Sequence, residues 1–296
     1  MQDRRIITDA GGAAILAAWG PMRLVIRAEK DGRPHVGAAR EAAQTAFDCL
    51  ARIAVWRRAF RRPALEITRR PPDSLAAAMV EAAAAIGDPD LTPMAAVAGV
   101  IADAVADELA DRGMDKVVVD NGGDIAVRLC PGNSVRVGLP GTMGSPEMTG
   151  VLTLNAERAQ WGIATSGMGG RSFTRGIASA VTTISRRTVT ADAAATAVAN
   201  ACTVEDSAIV RQPAEQLDPD TDLAGLEVTV TVGALSGGQR RLAVAQAISK
   251  AETLRTAGII QGCIVTLAEL TETTGGIGHL ITTPGKARGA STINRV

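Results

Sequence analysis

At Asp120-Asn121-Gly122-Gly123-Asp124 the chain places two glycines between carboxylate and amide side chains. The apolar run at 117–119 before this stretch predicts a buried strand, and residues 125–129 predict its continuation or its hairpin partner. Glycine permits positive φ and lets a ligand approach backbone N–H groups, so the turn is a candidate cavity wall. Taken alone, an Asn-Gly hairpin turn with solvated aspartates explains these residues better.

Two later stretches also place polar side chains where a predicted strand ends or a helix begins. One is Gly162-Ile163-Ala164-Thr165-Ser166-Gly167, and the other is Ala191-Asp192-Ala193-Ala194-Ala195-Thr196. On the helix predicted at 190–202, Asp192, Thr196 and Asn200 recur every four residues and share one face. Oxygen ligands of this kind suit Mg²⁺. An interaction of Asp192 with the helix dipole and a hydrogen bond from Thr196 back to a carbonyl explain the two residues equally well.

The composition describes a globular chain without a dominant charge. Of 296 residues, 46% are apolar, and 31 Lys and Arg balance 31 Asp and Glu. This balance argues against nucleic acid or a membrane surface as a partner, except through a local patch. The lack of Tyr, with only three Phe and three Trp, argues against ring stacking as the main binding device. A small-molecule ligand is compatible with the candidate cavity wall at the glycine turn, and a homo-oligomer is compatible with the sequence.

The cysteines and the N-terminal region indicate a cytoplasmic protein. Cys49, Cys130, Cys202 and Cys263 form no CxxC pair, so free thiols in a reducing compartment are expected. The apolar run at 13–19 is too short for a membrane span and lacks the features of an export signal.

Several basic or helix-start residues are candidates for binding an anion. Thr92, followed by Pro93, predicts a capped helix start at which an anionic ligand could sit, although capping alone explains both residues. Arg171 and Arg175 lie in a loop rich in Gly, Ser and Thr and are free to fold toward a phosphate. The run Trp56-Arg57-Arg58-Ala59-Phe60-Arg61-Arg62 could bind a nucleic-acid backbone, but a solvated helix end with inward aromatic rings explains it better.

Two other motifs are set aside. The run Leu235-Ser236-Gly237-Gly238-Gln239 matches the signature loop of ABC-transporter ATPases, but no GxxxxGK[ST] accompanies it, so we expect a strand-to-helix turn. Ser166 is not in a GxSxG elbow, and the only histidines are His35 and His279, which argues against a hydrolytic triad.

The remaining patterns predict an α+β fold in a single domain spanning residues 1–296, with a loose tail at 285–296. Helices are predicted at 36–56, 74–86, from 92 to 113, 190–202 and 239–256. Further strands are predicted at 13–19, 22–28, 64–68, 135–139, 150–155, 161–165, 226–232 and 259–267.

Three motifs together resemble the signatures of the ApbE superfamily, the FAD:protein FMN transferases, in order and in spacing. They are Asn121-Gly122-Gly123-Asp124-Ile125, Ile163-Ala164-Thr165-Ser166-Gly167 and residues 191–197. The runs at 92–99 and 197–200 are similar to a shorter, cytoplasmic branch whose members are catalogued as conserved proteins of unknown function. The resemblance covers the motif core, residues 91–200.

The resemblance implies a fold similar to the tunnelling fold, with a duplicated antiparallel sheet and paired helices. FAD or a related heterocycle, such as a pterin, is the implied ligand. It also implies Mg²⁺ held by Asp192 and Thr196, and metal-assisted pyrophosphate cleavage. Together with the anion-binding candidates, the ligand-binding residues expected from the sequence are Thr92, Asn121, Gly122, Gly123, Asp124, Thr165, Ser166, Gly167, Arg171 and Arg175.

The chain departs from the family pattern in ways that bear on function. Ser179 stands where the short branch favours Asp, which predicts a weaker metal site or a changed substrate. A longer flavin-binding segment also looks absent. The leading interpretation is an ApbE-like small-molecule enzyme or cofactor-handling protein with catalytic residues unassigned. The alternatives are an FAD:protein FMN transferase, a hydrolase or ring-modifying enzyme of cofactor or one-carbon metabolism, a non-catalytic ligand-binding protein and an RNA binder.

Overall fold

The computed structural model describes residues 4–140 and 148–282. Its helices are α1 Val36–Ala54, α2 Ser74–Ala85, α3 Val97–Asp111, α4 Thr188–Ala201, α5 Ala214–Leu217 and α6 Gly237–Thr256. Its strands are β1 Ile6–Gly11, β2 Ala14–Trp19, β3 Met22–Lys30, β4 Arg33–Pro34, β5 Lys116–Asn121, β6 Ile125–Leu129, β7 Ser134–Pro140, β8 Met148–Asn155, β9 Gln160–Ser166, β10 Ala180–Ser185, β11 Ile209–Pro213, β12 Glu227–Val232, β13 Gly262–Leu267, β14 Leu270–Thr273 and β15 Ile281–Thr282. Short 3₁₀ helices span Ala59–Arg61, Ala64–Glu66, Pro93–Ala96 and Gly278–Leu280.

A ten-stranded antiparallel sheet contains the same unit twice. Its order is β1-β2-β3-β5-β6-β9-β10-β13-β14, with β4 on β3. In the first unit, β2 and β3 precede the α1–α3 region and β5 and β6 follow it; in the second, β9 and β10 precede α4 and α6, and β13 and β14 follow them. The units join where Ile125 of β6 pairs with Ile163 of β9. The predicted α+β fold, with its duplicated antiparallel sheet and paired helices, is confirmed.

Both faces of this sheet are covered. Val117 and Val119 of β5 belong to the apolar cluster under the helices, whereas Val118 belongs to a second cluster with the small sheet β7-β8-β15. Successive strand residues point to opposite faces, so the unbroken Val run is what a strand covered on both sides requires. Alanines such as Ala39 and Ala43 line α1 and keep the helix layer close to the sheet.

One predicted strand is wrong, and some expectations lie outside the described residues. In place of the strand predicted at 64–68, Ala64–Glu66 form a 3₁₀ helix, in which Glu66 N–H donates to Pro63 O and Ile67 N–H donates to Ala64 O. Those local bonds use the donors that a strand would offer to a neighbour. The tail at 285–296 lies outside the described residues. Of the helices in the described ranges, none is long and apolar enough to cross a membrane.

Candidate functional site

A cavity of about 490 Å³ lies where the sequence motifs converge. Its wall includes the turn between β5 and β6, the end of β9, one face of α4 and the segment before α3. Of the described residues predicted to bind ligand or metal, all but Gly123 line it. They are Thr92, Asn121, Gly122, Asp124, Thr165, Ser166, Gly167, Arg171, Arg175, Asp192 and Thr196.

The Gly-Gly turn is a tight hairpin that satisfies much of its own hydrogen bonding. Gly122 and Gly123 have φ of 70° and 112°, a region that glycine occupies without strain. Asp120 Oδ1 accepts from Gly123 N–H at 2.8 Å, and Asn121 N–H donates to Asp124 O at 3.0 Å. Asp120 is therefore buried rather than solvated, and the Gly123 amide is engaged within the turn.

Side-chain bonds connect this turn to α3, and α3 to α4. Asn121 Nδ2 donates to Ala98 O at 3.1 Å, and Gly99 N–H donates to Asp192 Oδ2 at 2.8 Å. Gly99 allows α3 to approach α4 closely, because a Cβ there would lie 2.4 Å from Thr188 O. Sequence patterns did not mark Gly99 as a site residue, since its role depends on contact with a distant helix.

The oxygen atoms on the cavity side of α4 are of the chemical type that suits Mg²⁺. Asp192, Thr196 and Asn200 are all half-buried on the cavity side of α4. Burial raises the pKa of Asp192 to about 7, although hydrogen bonds from Gly99 and Ala98 oppose the shift, and a cation beside it would favour the charged form. Within the described ranges, no three His, Cys, Asp or Glu residues gather into a metal-binding group. One carboxylate and one hydroxyl suit Mg²⁺ when phosphate and water complete its coordination.

Thr92 does not cap a helix, contrary to the expectation. The residues after it form the 3₁₀ helix Pro93–Ala96, α3 begins only at Val97, and Thr92 makes no capping bond. Its hydroxyl instead donates to Asp222, because the segment around Asp222 lines the cavity beside Thr92. The pKa of Asp222 is raised, because the effect of burial outweighs the opposing hydrogen bond from Thr92.

The two loop arginines fold toward the cavity but are not free. Arg171 Nη1 donates to Pro21 O at 2.8 Å, and its guanidinium lies against Gly122, where a Cβ would be 1.9 Å from Nη2. Arg175 Nη1 donates to Asp90 Oδ2 at 2.8 Å. Both arginines thereby connect distant loops across the cavity wall.

Other sequence expectations are resolved by their local contacts. Ser179 lies outside the cavity wall, and its Oγ accepts from Ala268 N–H at 2.9 Å. The Ser179 side chain therefore bonds to the backbone at Ala268 and is not among the cavity-lining residues, and the expected weakening of the metal site stays a prediction. Ser236 caps α6 in a capping box with Gln239, as expected of a strand-to-helix turn. His35 caps α1 by accepting from Ala38 N–H, and His279 is exposed.

An ion-pair network with a buried centre at Asp103 and Arg128 fixes the helices beneath the site. Asp103 Oδ1 accepts from Arg128 Nη2 at 2.8 Å, and its Oδ2 accepts from Val189 N–H at 3.0 Å. Asp107 accepts from Arg128 Nε and from Arg187 Nη2, both at 2.7 Å. These bonds join α3, β6 and the start of α4, the helix that carries Asp192. No motif in the sequence indicates them, because they form only when three elements pack.

The duplicated antiparallel sheet, with a cavity beside α3 and α4, defines an α+β protein with a site of small-molecule size. A profile of the family described as AbpE bacteria matches residues 4–279, and the chain belongs to this family. Its fold is similar to the apo form of Pseudomonas stutzeri flavinyl transferase ApbE. The TM-score is 0.51 at 13% identity, covering 95% of this chain and 98% of that chain. At that identity the likeness concerns the fold alone.

Curated relatives match over a shorter part of the chain. A UPF0280 protein of Methanospirillum hungatei JF-1 is 37% identical over 139 residues, covering 46% of this chain and 55% of the relative. A UPF0280 protein of Methanoregula boonei is 38% identical over 149 residues, covering 50% of this chain and 59% of the relative. The chain therefore spans little more than half the length of these curated relatives.

Proposed function

We propose that this chain binds a phosphate-bearing heterocyclic cofactor, a flavin nucleotide or a related pterin, together with Mg²⁺. The observation that carries the proposal is the convergence of the three sequence motifs on one cavity of about 490 Å³. Its volume is typical of small-molecule sites, which span roughly 300–1,000 Å³. The name of the Pseudomonas stutzeri structural neighbour, a flavinyl transferase, supports a flavin as the first ligand to test.

The cavity offers different surfaces to the two ends of such a ligand. Met22, Leu50, Met94 and Ile101 supply apolar contact for a ring, and Arg171 and Arg175 supply guanidinium groups for phosphate. Asp192 and Thr196 would hold Mg²⁺ at the α4 wall. The cation, when bound, neutralises charge on the ligand phosphates. The proposed role is thus an ApbE-like cofactor-binding enzyme, and FMN transfer to a protein is the first reaction to assay.

Flavin titration tests the proposal directly. FAD, FMN and riboflavin are titrated into the full chain with MgCl₂ and, separately, with EDTA, and flavin fluorescence anisotropy is measured. We expect the two phosphate-bearing flavins to bind more tightly than riboflavin, and Mg²⁺ to strengthen their binding. Flavin released from the purified protein on denaturation would support the same conclusion. If the wild type binds none of the three under either condition, the flavin proposal is wrong.

Asp192→Asn isolates the metal part of the proposal. The substitution removes a charge but keeps the size of the side chain. We therefore expect the gain in flavin affinity that Mg²⁺ provides to fall at least tenfold, or about 1.4 kcal/mol. Asp111→Asn makes the same chemical change at the exposed end of α3 and serves as the matched control. An unchanged Mg²⁺ dependence in Asp192→Asn, with the protein folded, would remove the metal from the proposal.

A further inference from the structure

Part of the Arg-rich segment after α1 reaches the mouth of the cavity. Arg57 and Arg61 line it, and they lie four residues apart around the 3₁₀ helix Ala59–Arg61. Trp56 and Phe60 stack on each other at 5.8 Å, and Phe60 is buried. The aromatic rings anchor the segment to the core and leave the two guanidinium groups at the cavity mouth.

Both guanidinium groups converge on one residue, Asp220. Arg57 Nη2 donates to Asp220 O at 3.0 Å. Arg61 Nη2 donates to the same carbonyl oxygen at 3.1 Å and to Asp220 Oδ1 at 3.0 Å. The second carboxylate oxygen of Asp220 lies 3.8 Å from Arg57 Nη2. Two guanidinium groups thus share one carboxylate from a segment about 160 residues further along the chain.

The Asp220 carboxylate is placed to be exchanged for another anion. The side chains of Arg57, Arg61 and Asp220 are 53%, 39% and 69% exposed, and ion pairs exposed to water contribute little to stability. A phosphate carries more negative charge than a carboxylate and offers three acceptor oxygens. Arginine binds such groups through two parallel N–H donors, so phosphate competes well for this pair.

The turn that carries Asp220 is anchored without its carboxylate. Asp220 N–H donates to Asp218 Oδ1 at 2.9 Å, and Thr221 N–H donates to Asp218 O at 3.0 Å. Thr221 is buried, and the next residue, Asp222, accepts from Thr92. The Asp220 side chain can therefore rotate away while the turn and its backbone carbonyl stay in place.

We propose that Arg57 and Arg61 form an anion-binding subsite at the cavity mouth, in which a ligand phosphate replaces the Asp220 carboxylate. The subsite deepens the proposed function, on which it rests for the assumption that the ligand carries phosphate. It assigns a phosphate to the mouth, away from Asp192 on α4. Because its recognition uses guanidinium groups alone, it operates without a metal ion.

Calorimetric titration of inorganic pyrophosphate into the full chain, in buffer containing EDTA, tests the subsite. We expect the double variant Arg57→Gln and Arg61→Gln to bind pyrophosphate at least tenfold more weakly, because both guanidinium groups are lost. Asp220→Asn should strengthen it roughly threefold, because the competing charge is removed. The matched control is the double variant Arg58→Gln and Arg62→Gln. It removes the same charge from exposed neighbours that are not among the described residues lining the cavity. We expect it to change pyrophosphate binding less than twofold.

Three results would overturn the proposal. Equal weakening in both arginine double variants would indicate loose attraction to a basic patch, as for nucleic acid. Unchanged binding in Arg57→Gln with Arg61→Gln would place the anion elsewhere. Unchanged or weaker binding in Asp220→Asn would show that the carboxylate does not compete, and this exposed single variant decides the matter if the double variant misfolds. The flavin titrations with Mg²⁺ are a separate readout, so either proposal can fail while the other stands.

Discussion

Two half-buried carboxylates of this protein, Asp192 and Asp107, have opposite pKa shifts because their partners differ. At Asp192, burial dominates over hydrogen bonds from two backbone amides and raises the pKa. At Asp107, burial also acts to raise the pKa, but the hydrogen bond from Arg187 and the charge of Arg128 outweigh it, and the pKa is lowered. The guanidinium partners therefore decide the sign, and the two aspartates affect stability in different ways.

The lowered pKa of Asp107 predicts a pH-dependent contribution to folding. That contribution is fully present above the ordinary Asp pKa of 3.8 and is lost as the pH falls through the lower folded-state value. We expect Asp107→Asn to be less stable than the wild type by about 0.5–1 kcal/mol at pH 6, because water partly screens its ion pairs. The difference should shrink as the pH falls below about 4, because protonation removes the same charge from the wild type. Urea unfolding followed by circular dichroism at several pH values measures it.

The control for this experiment is Asp9→Asn. Asp9 pairs with Arg40, and its side chain is 73% exposed, so its loss should change stability by less than about 0.5 kcal/mol at any of these pH values. A stability difference for Asp107→Asn that stays constant down to pH 3 would contradict the predicted titration.

At the scale of elements, the contact between α3 and α4 decides whether the site forms. Gly99 lies in the first turn of α3, directly against the backbone of Thr188 and Val189 at the start of α4. Its amide also donates to Asp192. The same glycine therefore sets the helix separation and orients a proposed metal ligand.

Gly99→Ala and Gly37→Ala form a matched pair of helix substitutions. A Cβ at Gly99 would meet backbone atoms 2.4–2.8 Å away, which cannot move independently, so we expect a loss of about 2–3 kcal/mol. A Cβ at Gly37, in the first turn of α1, would meet nothing within 4 Å, so that variant should be unchanged or more stable by up to about 1 kcal/mol. Thermal and urea unfolding provide the comparison. Equal stability of the two variants would mean that α3 and α4 can separate without cost.

At the scale of the whole molecule, the two repeated units share one sheet and one helix layer. Backbone pairing is continuous across the β6–β9 boundary, and Asp103 of the first unit binds Val189 of the second. Separating the units would expose strand edges and take Arg187 away from the carboxylates of Asp103 and Asp107. We therefore propose that residues 1–296 behave as a single domain.

Tryptophan fluorescence can test this cooperativity because the three tryptophans divide between the units. Trp19 and Trp56 lie in the first unit and Trp161 lies in β9 of the second. In the single variant Trp161→Phe, fluorescence reports on the first unit, and in the double variant Trp19→Phe and Trp56→Phe it reports on the second. In each variant we expect fluorescence and far-UV circular dichroism to give the same urea midpoint. Each variant serves as its own control, because both probes are read on one sample. Separate midpoints for the two probes in either variant would indicate that the units unfold independently.

Much of the fold could be predicted because its signals are local. The Val run at β5, the alanine spacing of α1 and the glycines between β5 and β6 indicate element types through side-chain periodicity and permitted φ values. Such signals fail at Ala64–Glu66, where local hydrogen bonds form a 3₁₀ helix. They also fail at Thr92, whose hydroxyl donates to the distant Asp222 carboxylate and does not cap a helix.

By itself, the sequence determined the α+β class, the position of most elements and which polar residues were available for a site. Only the tertiary structure decided which of them meet. It paired Ser179 with the backbone of Ala268, brought Asp220 to Arg57 and Arg61, and buried the Asp103 carboxylate against Arg128. The physical reason is that backbone propensity acts over a few residues, whereas hydrogen bonding and charge pairing depend on distances that only chain packing sets.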